Sequence, residues 1–215
     1  MYKRQATNTS DSAQGILLQS ADSSPATLTV NGGELTASGQ RAGIKYVFGS
    51  SGTGDGTPTV TVSGNAIVRA NGGISDDSST DIQIGADSNE SNGGIVFDGK
   101  NGTVYGAVTL QEDLEIGEGE SLTLDDGASL NAGNHNVIVD GGTLDESIAN
   151  SLGDSVKYAP TIVAPPADKS VTEGETATFT VNATGTEPLS YQWQQSTDNG
   201  SSWTDITGET NATYT

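Results

Sequence analysis

The sequence predicts an all-β protein whose larger part is a parallel β-solenoid. Three observations lead there. Apolar residues make up only 32% of the 215 positions, yet they fall into short alternating runs such as ATLTV, TVTVSG, LTL and VIVDGG, the pattern of half-buried strands. Helical periodicity is nearly absent, and DESIANSLGDS (145–155) is the one helix candidate. Gly, Ser, Thr, Asn and Asp gather between the runs, where the chain must turn.

A loose unit recurs across residues 24–150. It is seen in ATLTVNGGELTASG (26–39), PTVTVSGNAIVRANGG (58–73) and NVIVDGGTLDES (136–147). Each copy has a β-branched run, a Gly or Asn-Gly corner, and a second short run, at a spacing that drifts around 20 to 30 residues. One such unit cannot bury its inward side chains alone. Neighbours stacked about 4.8 Å apart bury them as a continuous column. The inward set is Leu28, Val30, Val60, Val62, Ile82, Ile84, Val104, Leu110, Leu114, Ile116, Leu122, Leu124, Val137 and Val139. An antiparallel sandwich is the competing arrangement.

The chain divides into four segments. Residues 1–23 form an irregular lead-in, of which 1–5 (MYKRQ) match nothing downstream, resemble translated adapter sequence, and are set aside from the fold argument. Residues 24–155 are the solenoid. Residues 156–167 hold three of the six prolines and read as a linker. Residues 168–215 form a second domain.

The net charge is −20, from 28 acidic and 8 basic side chains. That balance disfavours nucleic-acid partners and acidic membrane surfaces, both of which call for Lys and Arg. Residues 101–156 hold eleven acids and no Lys or Arg, which reads first as a solvated face. The sharper reading is weak calcium binding around Asp125, Asp126 and Asp140, although no calcium-loop spacing is present. The chain has no cysteine and one histidine, His135, so disulfides, thiolate metal sites and histidine-rich metal sites are not expected. No apolar run is long enough to span a bilayer. No other cofactor is implied.

Paired carboxylates are unavoidable among 28 acids, and none is singled out for glycoside hydrolysis. The best ligand-contact candidates lie in GQRAGIKYVFG (39–49), where Arg41, Lys45, Tyr46 and Phe48 bring basic and aromatic residues together. The plainer reading is an edge strand with snorkelling cations. The glycine-rich GSSGTGDG (49–56) lacks a phosphate-loop lysine and a following helix, so no nucleotide site is expected.

Two resemblances add to this. LTVNGGELTASG and NGTVYGAVTLQEDLEIGEGESLTLDDGASLNAG, within 28–144, look like β-helix repeats of large secreted proteins of Gram-positive gut bacteria, often carbohydrate-binding or adhesin-like. TEGETATFTVNATG, PLSYQWQ and NATYT resemble strands B, C and E of a bacterial immunoglobulin-like domain. That likeness implies Trp193 as the core tryptophan, Val181 where relatives carry a cysteine, and further strands F and G not contained in this sequence. STDNGSSW (196–203) fits the Asp-box hairpin of sialidases. In it Asp198 accepts bonds from turn amides, Gly200 takes the strained dihedral and Trp203 anchors the return strand.

The sequence therefore leads to a non-catalytic extracellular or cell-wall-attached protein. It would be structural or adhesin-like, a β-helix stalk with an immunoglobulin-like spacer, with glycans or host and neighbouring cell-surface proteins as partners. The alternatives are a carbohydrate-binding accessory region of a secreted polysaccharide-degrading enzyme and, behind it, a β-helix polysaccharide lyase.

Overall fold

The computed structural model describes residues 3–7, 14–19, 26–39, 42–47, 57–76 and 82–215. The protein is all-β, with 47% of residues in strands and 6% in helices. It divides into two compact units, Met1–Val156 and Lys157–Thr215.

The first unit opens with β1 (Lys3–Thr7), β2 (Gln14–Gln19), β3 (Thr27–Asn31), β4 (Glu34–Ser38) and β5 (Ala42–Val47). It continues through β6 (Thr59–Ser63), β7 (Ala66–Asn71), β8 (Ile74–Asp76), β9 (Gln83–Ala86) and β10 (Gly94–Asp98). After these come β11 (Asn101–Tyr105), β12 (Ala107–Thr109), β13 (Leu114–Ile116), β14 (Ser121–Leu124), β15 (Ser129–Asn131), β16 (Val137–Val139) and β17 (Thr143–Leu144). Helix α1 (Glu146–Leu152) follows, and β18 (Val156–Tyr158) begins on the last residue of the unit. Part of the segment set aside at residues 1–5 thus lies in β1, whose backbone pairs in parallel with β4.

These strands align in rows of equivalent position. One long sheet runs β1-β4-β7-β10-β11-β14-β17, and shorter rows are β2-β5-β8, β3-β6-β9, β12-β15 and β13-β16. Within these rows the pairs are parallel, apart from β10 and β11, which are antiparallel. Side chains mark the repeat. Thr59 Oγ1 donates to Thr27 Oγ1, 32 residues earlier, and Asn71 Nδ2 to Ser38 Oγ, 33 residues earlier. After the reversal the repeat shortens: Thr123 Oγ1 donates to the Gly102 carbonyl, 21 residues back, and Thr143 Oγ1 to that of Glu120, 23 back.

The antiparallel hairpin places a core on each face of the long sheet. Successive side chains of a strand point to opposite faces. On one face Ala37, Val68, Ala70 and Val96 join Ile44, Tyr46, Val60 and Val62 in a first core. On the other, Ile67, Ile95, Phe97, Val104 and Leu122 join Val108, Leu110, Leu114, Ile116 and Val137 in a second. Strand β10 serves both, so Gly94 to Phe97 are all buried. The close approach needs glycine: a Cβ on Gly93 would fall 1.7 Å from the Tyr105 carbonyl oxygen. Helix α1 lies within the stretch expected to be helical. Asp145 caps it by accepting from the Ser147 amide, and Ile148 packs into the second core.

The second unit holds β19 (Thr161–Ala164), β20 (Phe179–Thr180), β21 (Asn182–Thr184), β22 (Gln194–Gln195), β23 (Thr204–Asp205) and β24 (Thr213–Tyr214). Residues 161–164, inside the stretch read as a linker, pair with β21, while β20 pairs with β24 and β22 with β23, all antiparallel. No residue of this unit is buried. Three half-buried aromatic rings cluster in it: the ring centroid of Tyr214 lies 6.5 Å from that of Phe179 and 5.7 Å from that of Trp193.

Candidate functional site

A cleft of about 820 Å³ opens in the first unit where its second half overhangs the face of β4 and β7. Its walls come from Glu34, Ile67, Arg69 and Asn71 on those strands, Lys100 on the hairpin, and residues 112–120 around β13. The alternation that sends Val68 and Ala70 into the first core turns Arg69 toward the second.

Arg69 is held on several sides. Its Cζ lies 4.0 Å above the ring of Phe97, its cross-strand partner on β10. Nη1 donates to Glu120 Oε1 at 2.8 Å and Nη2 to the Glu115 carbonyl at 2.8 Å, while Glu34 Oε1 stands 4.0 Å from Nε. The other oxygen of Glu120 accepts from the Gly117 amide at 2.9 Å, so this carboxylate fixes both the turn and the arginine. Lys100 Nζ donates to the Glu118 carbonyl at 2.9 Å.

Glu34, Glu112, Asp113, Glu115, Glu118 and Glu120 line the cleft with Arg69 and Lys100, which gives it an acidic character. Carboxylates accept hydrogen bonds from hydroxyl and ammonium groups, so the walls suit a hydroxyl-rich or amine-bearing ligand and repel anions. A smaller cavity of about 400 Å³ adjoins it through Ile67 and Glu112. There Asn65 Oδ1 accepts from the Thr109 amide and ties the two halves together.

Of the contact residues expected from sequence, Lys45 and Tyr46 do not line this cleft. Arg41 and Phe48 are outside the described residues. Lys45 and Tyr46 alternate on β5, with Lys45 half-exposed and Tyr46 only 1% exposed in the first core. The Tyr46 hydroxyl donates to the Thr59 carbonyl at 2.5 Å, and burial pushes its pKa up to about 12. Tyr46 is therefore a packing residue and offers no face to a ligand, which corrects its assignment as a contact.

Asp125 and Asp126 sit on the turn after β14, and Asp140 on the turn after β16, all exposed. Among the described residues no group of three Asp, Glu or His side chains converges as a metal site. The expected calcium cluster is not assembled, because the acids occupy separate corners and point into solvent.

In the second unit Trp193 is half-buried and its Nε1 donates to the Asn211 carbonyl at 2.8 Å. Asp198 accepts from the Ser202 amide and from the hydroxyls of Ser202 and Ser196. These bonds, those of Ser202 foremost, lower its pKa to about 2. Gly200 takes φ +84°, as the turn requires. Trp203, expected to anchor the return strand, is instead 60% exposed: β23 is two residues long and no layer covers it.

Sequence reasoning missed Arg69, Phe97 and Glu120. Two signals were there to be read. Arg69 is a lone cation inside the apolar run AIVRA, and GIVF is a continuous apolar strand, the mark of burial on both faces.

Fold and cleft together define an all-β protein with an acidic groove between two packed halves. Residues 163–215 match a family described as a domain of unknown function (DUF8696). No curated protein and no solved structure matches the chain.

Proposed function

We propose that this is a non-catalytic extracellular or cell-wall-attached protein, structural or adhesin-like, which contacts neutral or amine-bearing glycans through the acidic cleft. In this reading the first unit is a parallel β-solenoid stalk and the second an immunoglobulin-like spacer.

The observation that carries the reading is the in-register parallel repeat, in which Leu28 stands opposite Val60 and Val60 opposite Ile84. Equivalent inward residues stacked along one axis are what a solenoid needs to build a core from short turns. The hairpin at residues 98–101 swaps both strand direction and core face, a half-turn about the stacking axis, so the second half winds with the same hand as the first. Antiparallel pairing of β20 with β24, beside Trp193, supports the sandwich reading of the second unit. The acidic cleft supports the ligand class.

Passing the chain over immobilised plant, mucin and bacterial polysaccharides tests the proposal. Retention on a neutral or amine-bearing polymer that weakens in the double variant Glu115→Gln/Glu118→Gln supports it. Retention on no polymer, or on acidic polymers alone, would leave the glycan contact without support.

A further inference from the structure

The chain contains five Asn-Gly pairs, at Asn31, Asn71, Asn92, Asn101 and Asn199. Such pairs can lose the side-chain amide. The glycine nitrogen attacks Asn Cγ and a new N–C bond closes a succinimide. The bond to the side-chain nitrogen breaks, and ammonia leaves carrying the glycine amide proton. Water then opens the ring to aspartate or isoaspartate. Glycine favours the attack because no Cβ hinders it.

Three of the pairs share the same local sequence, Asn31-Gly32-Gly33, Asn71-Gly72-Gly73 and Asn92-Gly93-Gly94. Their intrinsic chemistry is therefore alike, and the fold alone separates them. For attack the glycine nitrogen must leave its hydrogen bond and turn toward the side chain. Gly32 N donates to the Ser63 carbonyl at 2.9 Å, and buried Gly93 N to that of Ala107 at 2.8 Å. Gly200 N donates to Ser196 Oγ at 2.8 Å. Gly102 is buried within β11, between β10 and β14. The Gly72 amide has no hydrogen-bond partner among the described residues, Asn71 and Gly72 are both exposed, and the Asn71 side chain is held by one exposed bond, from Nδ2 to Ser38 Oγ at 3.1 Å.

We infer that Asn71 is a modification site, the position at which the folded protein deamidates first. Asn71 lines the acidic cleft close to Arg69. Its conversion adds a carboxylate to that wall, so the cleft grows more acidic as the protein ages.

The test is peptide mapping by mass spectrometry of the full chain held folded in warm, mildly alkaline buffer. The Asn71 peptide should convert roughly fivefold faster than the Asn31 and Asn92 peptides, the factor expected when their amides must first give up a hydrogen bond. In urea the three rates should converge. The variant Asn71→Gln should lose the early acidic species seen on ion exchange. Equal rates for Asn31 or Asn92 and Asn71 in the folded protein, the same ratio persisting in urea, or an unchanged early acidic species in the variant would each overturn the assignment.

Discussion

The guanidinium of Arg69 lies over the ring of Phe97, its partner across the β7–β10 ladder, at 4.0 Å from the ring centre. This pair joins the two halves of the first unit, since the ring belongs to the second core and the cation reaches on to Glu120 and the Glu115 carbonyl. Replacing Arg69 with Met should lower stability by about 2 kcal/mol, from the lost cation–π contact and a half-buried Glu120 that keeps only its bond from the Gly117 amide. Urea unfolding of the variant checks the value. A change within experimental error would mean that the halves do not depend on this contact.

Strand β10 sends Val96 to one core and Phe97 to the other. Phe97→Ala should cost about 3 to 5 kcal/mol and Val96→Ala about 2 kcal/mol. Because one strand serves both cores, either variant should shift a single cooperative transition of the first unit. Calorimetry showing two transitions, with each variant moving only one, would contradict the shared strand.

The strands and their inward residues were legible in the sequence, for a physical reason. Alternation is a local property, and Leu28, Val30, Val60, Val62, Leu114, Ile116, Val137 and Val139 all reach a core. The helix at DESIANSLGDS was equally local, with its cap in Asp145. The cleft was not legible, because it arises from the reversal between β10 and β11, which brings Arg69 to Glu120, 51 residues away. Tyr46 misled for the same reason: whether an aromatic beside cations faces in or out depends on the phase of its strand.

The Asp198 turn makes a pH prediction. Its folded pKa of about 2 is below that of an ordinary carboxyl, about 3.9. A depressed carboxyl pKa means that the contribution of Asp198 is complete above the unfolded value and is lost as pH falls through the folded one. The hairpin at residues 196–203 should therefore hold at pH 4 and loosen as pH nears about 2. Amide NMR shifts of Gly200 and Ser202 report this, and Asp198→Asn should abolish the transition. Titration at an ordinary carboxyl value would show that the serine bonds do not persist in solution.

With no buried residue of its own, the second unit lacks the core that sustains independent folding. Residues 157–215 expressed alone should melt without a cooperative transition in calorimetry. A sharp transition would show that the half-buried Phe179, Trp193 and Tyr214 suffice.

The register of the stacked strands is the central claim, and the absence of cysteine from the chain makes it directly testable. Thr27 and Thr59 are ladder partners whose hydroxyl oxygens lie 3.0 Å apart, whereas Thr61 faces Thr29. In the double variant Thr27→Cys/Thr59→Cys the thiols should join readily under mild oxidation, within the reach a disulfide requires. The offset pair Thr27→Cys/Thr61→Cys should remain reduced. Equal crosslinking of both pairs, or preferential crosslinking of the offset pair, would contradict the stacked register on which the fold and the cleft both rest.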